Sequence, residues 1–337
     1  MRNLFLLLLT FISFTAFSQK NTINLNNNNN SFNIIKQNQD FIIFENNIST
    51  IKYFDVISDY GTFTKLIIDK YVKDYSDLGN PDLPSLHKLI EIPDDANISI
   101  TIISYNTQEF DLNNYGINNK LLPVQPSVPK ATSAKDVPFY YNESSYKINQ
   151  FSSKDLVEVK HLGKMRGVNL SNLIINPIQY NPVTNKIKVY NSLRVKIEFK
   201  NANLSKTKSI AKKYYSPAFD NAFSEVINYK SYKDTLISTY PVKYVIIADP
   251  IFRGQLDEFI KWKIQKGFNV ITAYTDDPNV GNTTTSIKTY LQGLYTNATP
   301  TDPAPSFVLF VGDVDQIPAF SGTTGSHPTV ECTSIRT

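Results

Sequence analysis

The stretch Leu193-Arg-Val-Lys-Ile-Glu-Phe-Lys200 alternates strictly. Leu193, Val195, Ile197 and Phe199 fall on one side of an extended chain, and Arg194, Lys196, Glu198 and Lys200 on the other. Successive side chains of a strand point to opposite faces, so a period of two marks a strand with one buried face. Working outward, Ile187–Tyr190 lies just before it, and further upstream come Ile98–Ser104, Leu89–Ile92, Phe63–Ile68 and Phe41–Phe44. All are short runs rich in β-branched and aromatic residues, which pack well on a pleated surface. Turn formers separate them, as in Gly79-Asn-Pro-Asp82, Ile92-Pro-Asp-Asp95 and Asn181-Pro182. Evenly punctuated short strands of this kind predict a β-rich domain, sandwich-like or barrel-like, over residues 41–200.

Downstream the pattern changes. Residues 201–240 carry Lys206, Lys208, Lys212 and Lys213, then Tyr214, Tyr215 and a mixed, helix-like segment from Pro217 to Val226. This stretch is predicted to be a linker. Residues 241–337 then follow an α/β order. Val242–Ala248 is a near-continuous apolar run, as a buried parallel strand requires. Asp249-Pro250 suits a helix start, with Asp as cap and Pro in the first turn. Leu256, Phe259, Ile260 and Ile264 form its apolar stripe, and Gly267 can end it. Asn269–Tyr274 is the next strand. Thr283–Thr285 supply caps for a second helix with Ile287, Tyr290, Leu291 and Leu294 on one face, and Phe307–Val311 is a third strand. Strand, helix, strand, helix, strand predicts a parallel sheet. Ligands of such sheets bind outside the carboxyl ends of the strands. Those ends carry Asp249, Asp276, Asp277, Asp313 and Asp315, each of which also suits a cap or a turn.

The chain begins with Met1-Arg-Asn, an apolar run from Leu4 to Phe14, and Ala16-Phe17-Ser18. A basic start, a short apolar core and small residues before a cleavage point are the three parts of a secretory signal peptide, assigned to residues 1–18, with Gln19 as the new N-terminus. Residues 19–40 are polar and include Asn26 to Asn30 in a row, so they are predicted to be a flexible asparagine-rich leader. Export to the periplasm or beyond the cell follows from the signal. No later stretch offers 18 apolar residues in a row, so no further membrane span is expected.

Composition narrows the function classes. At roughly 100–200 residues per domain, 337 residues suggest two or three domains. There are 34 lysines and arginines against 30 acidic residues, a net charge of +4 with no concentrated basic face, which argues against nucleic-acid binding. Cys332 is the single cysteine, so no intramolecular disulfide can form, and with only His87, His161 and His327 a zinc site is not expected. No P-loop, dinucleotide fingerprint, Gly-x-Ser-x-Gly elbow or His-Glu-x-x-His is present. His327 and Cys332 are the two residue types of a thiolate–imidazole dyad. Such partners normally converge from separate segments of a fold, so this neighbouring pair is not assigned as catalytic.

Several segments together resemble the gingipain-type cysteine peptidases. They are Tyr244-Val-Ile-Ile-Ala-Asp-Pro250, Phe259-Ile-Lys-Trp-Lys-Ile-Gln-Lys-Gly-Phe-Asn-Val270 and Phe307-Val-Leu-Phe-Val-Gly-Asp-Val-Asp-Gln-Ile-Pro318. Upstream, Gly79-Asn-Pro-Asp-Leu-Pro-Ser-Leu-His-Lys-Leu-Ile-Glu-Ile-Pro93, Arg166-Gly-Val-Asn-Leu170 and Asn176-Pro-Ile-Gln-Tyr-Asn-Pro182 resemble the propeptide of the same family. The resemblance implies a β-rich inhibitory prodomain at 41–200, then the N-terminal part of a caspase-like α/β domain at 241–337. It implies an exported zymogen that hydrolyses peptide bonds, often after a basic residue, with calcium as a family cofactor and with protein substrates and export machinery of the type-nine route as partners. In the family the catalytic histidine and cysteine lie well downstream of the segment that is 312–318 here, and no Gly-His-Gly follows. No catalytic residue, cofactor-binding residue or metal ligand is therefore assigned. The chain is expected to be a truncated product, inactive by itself, whose 241–337 region is marginally stable alone. Two alternatives stand beside this reading: a non-catalytic binding or inhibitory module, and a fragment of the sortase branch of the family.

Overall fold

The computed structural model describes residues 21–26, 29–74, 77–128, 137–233, 241–299 and 301–320. The signal-peptide assignment at 1–18, His327 and Cys332 lie outside the described residues. The strand-rich half contains β1 (Thr22–Asn24), β2 (Ser31–Gln37), β3 (Phe41–Asn47), β4 (Thr50–Ser58), β5 (Gly61–Ile67), β6 (Leu86–Glu91) and β7 (Asn97–Asp111). A short helix α1 (Glu143–Tyr146) precedes β8 (Val157–Met165), β9 (Val168–Ile175), β10 (Ile178–Asn181) and β11 (Lys186–Lys200). Helices α2 (Leu204–Lys213) and α3 (Pro217–Asp220) follow. The α/β half holds β12 (Val242–Ala248), α4 (Asp257–Gln265), β13 (Phe268–Tyr274), α5 (Thr284–Thr296) and β14 (Phe307–Val311).

The long strand β11 organises the first half, and its alternation is the reason. Ile187, Val189, Leu193, Val195, Ile197 and Phe199 all face inward and are buried. β7 runs antiparallel along one edge of β11, and β10 and β3 share the other, with β2 outside β3. The Leu193–Phe199 part packs with Ile42 and Phe44 against Leu86, Ile90, Leu173 and Ile175 of the β6–β9–β8 sheet. The Ile187–Val189 part joins a second core with Tyr180 of β10 and with Ile23, Ile51 and Leu66 of the β1–β4–β5 sheet. One strand thus feeds two cores of a β-rich half, and the second of them takes in Ile23 and Leu25, upstream of the expected 41–200.

Two segments differ from expectation. Residues 19–40 were expected to form a leader, yet β1 buries Ile23 completely and β2 pairs with β3. Asn30 works as a turn acceptor rather than as solvated linker: its Oδ1 accepts from the Ser49 amide at 2.7 Å. The described part of 201–240 is likewise packed rather than a free linker. Phe223 and Val226 are buried against Val168, because their apolar side chains match an apolar patch left by β9.

The α/β half forms a three-stranded parallel sheet in the order β13-β12-β14. β12 is central and buried, as its continuous apolar run predicts. β14 is the edge of the described sheet, where Phe307, Val308 and Phe310 are each more than a third exposed. α5 begins with a Thr283–Ser286 capping box and buries Ile287 and Leu291. The first helix starts later than expected. Asp249 caps a single 3-10 turn over Pro250–Phe252, Gly254 adopts a left-handed φ of 80°, and α4 begins only at Asp257. Its expected apolar stripe is not buried, and Ile264 is 55% exposed.

Candidate functional site

The carboxyl ends of β12, β13 and β14 lie side by side, since Ala248 registers with both Tyr274 and Val311. The sequence-predicted acidic residues gather at this edge, and each described contact is structural. Asp249 Oδ1 accepts from the Ile251 amide at 2.9 Å, and Asp277 Oδ1 from the Asn279 amide at 2.9 Å. Asp313 Oδ1 accepts from the Val314 amide at 2.7 Å. Asp276 ion-pairs with Arg253 at 2.5 Å, and that guanidinium stacks 4.1 Å from the centre of the Tyr274 ring. The pair is about half exposed, where such bridges contribute roughly 0–1 kcal/mol. Asp315 lies in the turn after β14. Among the described residues no three His, Cys, Asp or Glu side chains converge to hold a metal ion.

The described histidines sit elsewhere. His87 and His161 are on β6 and β8, in the strand-rich half. His87 Nδ1 contacts the Asn172 amide at 3.1 Å, and burial holds its pKa below the ordinary value. Neither faces the strand ends of the parallel sheet.

A second constellation joins the two halves, and it centres on Arg166. This side chain sits in the β8–β9 turn with a φ of 53° and is only 7% exposed. Its Nη1 donates to the Pro305 carbonyl at 2.8 Å and its Nη2 reaches the Ala304 carbonyl at 3.5 Å. The guanidinium lies between two rings, 5.3 Å from the Phe219 centroid and 5.8 Å from that of Tyr295. Burial pulls its pKa below the ordinary arginine value. Around it, Tyr214 stacks on Tyr295 at 4.6 Å, Ser216 and Ser306 share a hydrogen bond of 2.7 Å, and Lys213 Nζ donates to the Thr296 carbonyl at 2.9 Å. Gly167 makes the approach feasible: its φ is +81°, and a Cβ there would stand 2.8 Å from the Ile210 carbonyl oxygen of α2. The sequence around Arg166-Gly167 predicts no contact with the distant peptidase half. Its only local signal was a basic residue before glycine in an otherwise β-patterned stretch.

Residues 19–236 match the Propeptide_C25 family, and residues 237–332 match Peptidase family C25. The chain belongs to the gingipain-type C25 cysteine peptidase family. It is 36% identical to Lys-gingipain of Porphyromonas gingivalis over 248 residues, which are 73% of this chain and 14% of that protein. It is 22% identical over 249 residues to Gingipain R2 of the same species, covering 72% of this chain and 32% of the relative. Among solved structures it resembles one described as structural insight into zymogenic latency of gingipain K from Porphyromonas gingivalis. That similarity has a TM-score of 0.50 at 31% identity and covers 54% of this chain and 98% of the other.

The boundary between the two family matches runs through the Arg166 constellation. Arg166, Lys213, Tyr214, Ser216 and Phe219 fall in the propeptide match, while Tyr295, Thr296, Ala304, Pro305 and Ser306 fall in the peptidase match. The buried guanidinium is therefore a propeptide–peptidase contact in this gingipain-type chain.

Proposed function

We propose that this chain is the propeptide and the N-terminal catalytic part of a cysteine endopeptidase precursor, and that its strand-rich half binds the peptidase half and keeps it latent. One observation carries the reading: a propeptide arginine, removed from water, donates to main-chain carbonyls of the peptidase half and is enclosed by a ring from each side. Desolvating a guanidinium is costly, and such a contact persists only where acceptors and ring faces replace its hydration. The substrates are peptide bonds, often after a basic residue, as the family resemblance implies. The peptidase half takes the caspase-like α/β arrangement of the family resemblance, and the precursor is exported by its N-terminal signal. Catalysis in this family calls for a thiolate and an imidazole base. No described side chain is assigned to either role.

The strand-rich half closes two cores of its own, which favours a second use, inhibition of a related peptidase supplied in trans. The experiment adds the purified full chain to mature Lys-gingipain and follows cleavage of a chromogenic lysyl peptide. Dose-dependent loss of cleavage, weakened in Arg166→Met, is the expected result. Thiol-sensitive cleavage of the peptide by the purified chain alone, undiminished by its propeptide half, would overturn the latency reading.

A further inference from the structure

Residues 226–232, near the end of the propeptide match, are tied down by a buried carboxyl group, and the tie has unusual chemistry. Val226 bridges in parallel to Leu89 on the free edge of β6, and the Ile227 amide donates to the Leu89 carbonyl at 2.9 Å. Asn228 then imitates a strand neighbour. Its Oδ1 accepts from the Glu91 amide at 2.7 Å and its Nδ2 donates to the Glu91 carbonyl at 2.8 Å. Tyr232 completes the set, its hydroxyl donating to Glu91 Oε1 at 2.5 Å. Residues 226–232 thus dock on β6 by four hydrogen bonds, three of them to Glu91.

Glu91 is 5% exposed, and among the described residues no lysine or arginine forms an ion pair with it. The charged groups near it are arranged so that none cancels its charge. On the turn after β6, Asp94 lies close by and is engaged by Lys164 of β8, while Asp95 pairs with Lys206 of α2 at 2.7 Å. Lys208 of α2 and Lys230 of the docked segment line the same cavity, of about 460 Å³, but are exposed. On β9 the partner across from Glu91 is Leu170.

We propose that Glu91 is a pH-sensitive catch: while neutral it holds the 226–232 segment on β6, and its ionisation loosens that segment ahead of the peptidase half. The catch needs only the fold, and stands whether or not the α/β half hydrolyses peptides. Burial pushes the carboxyl up to about 7, against the opposing pull of the Tyr232 hydrogen bond and with help from the Asp94 charge. The ordinary value is 4.5, so the buried group holds its proton more tightly than a solvated one, and release of the 226–232 segment would open it to solvent. Docking is then firmest below about pH 4.5 and weakens as pH rises through about 7.

Hydrogen exchange of the full chain tests this at the Ile227 amide, with rates corrected for intrinsic pH dependence. Protection should fall about tenfold or more from pH 5 to pH 8.5, while the Ile197 amide of β11 stays constant. Glu91→Gln, which stays neutral, should keep Ile227 protected at both values and remove the difference. Equal wild-type protection at pH 5 and 8.5, or an unchanged pH dependence in Glu91→Gln, overturns the proposal. The wild-type comparison decides the matter even if the variant folds poorly.

Discussion

Replacing Arg166 by Met tests how much one side chain binds the two halves together. Methionine fills similar length but offers no donor, so the Pro305 carbonyl loses its partner at 2.8 Å. Hydrogen bonds to a charged group contribute about 1.5–3 kcal/mol. The flanking Phe219 and Tyr295 rings add about 0.5–2 kcal/mol of cation–π attraction. Against this, the variant no longer buries a charge, and it removes a guanidinium whose Nε is buried without a partner. The Ala304 contact, at 3.5 Å, adds little to either side. The net loss is about 2 kcal/mol, roughly a 30-fold weaker hold on the 304–306 loop. The Ser306 amide reports that hold, because it donates to the Lys243 carbonyl at 2.9 Å and its hydroxyl bonds Ser216 across the contact. Hydrogen exchange should therefore show Ser306 protection falling by an order of magnitude or more in Arg166→Met. Arg166→Lys should fall between, since it keeps charge but loses the planar fork. Protection in the methionine variant within twofold of wild type would refute the claim that Arg166 anchors the contact.

Other substitutions probe separate parts of the fold. Gly167→Ala puts a Cβ 2.8 Å from the Ile210 carbonyl in a left-handed conformation, so it should cost about 2 kcal/mol or more and lower the thermal midpoint by several degrees. Ile197→Ala empties a fully buried site in the C-terminal part of β11 and should cost about 2–5 kcal/mol in denaturant unfolding. Val308→Lys on the exposed edge strand β14 should suppress concentration-dependent light scattering with the midpoint unchanged, since charged edges resist strand-to-strand association. Arg253→Ala, which removes a half-exposed ion pair, should change stability by less than about 1 kcal/mol.

The parts of this protein legible in its sequence are those whose partners are supplied by periodicity. β11 declared itself because one face is charged and the other apolar over eight residues, and β12 because a buried parallel strand needs no polar face. α5 was legible from its threonine caps and its Ile287–Leu291 spacing. β1 and β2 were not, because asparagines look alike whether they are solvated or, as Asn30 is, bound to the β3–β4 turn. α4 was misplaced because Asp249-Pro250 starts a helix and a 3-10 turn equally well, and Gly254 decided between them. The acidic strand ends were legible in position but carried structural caps rather than chemistry.

Arg166 and Glu91 were illegible for a shared reason that bears on how the halves are coupled. Arg166 meets its acceptor 139 residues away, and Glu91 meets Tyr232 141 residues away. Neither distance leaves a trace in local composition, and each residue by itself suits a solvated turn or strand end. Both lie on the β6–β9–β8 sheet or its turns, and they hold segments on either side of the connection between the halves: Glu91 holds residues 226–232 before it, while Arg166 holds the 304–305 loop that leads into β14. An ionisable group that is buried and met only by neutral donors or acceptors is sensitive to its surroundings in a way an apolar contact is not. If the two ties act on one docking equilibrium, their effects should exceed additivity: Arg166→Met should steepen the loss of Ile227 protection between pH 5 and 8.5. If they hold independent elements, the double comparison of wild type and variant at the two pH values will give the sum of the separate effects within about 0.5 kcal/mol. That cycle distinguishes a single cooperative propeptide–peptidase lock from two unrelated anchors.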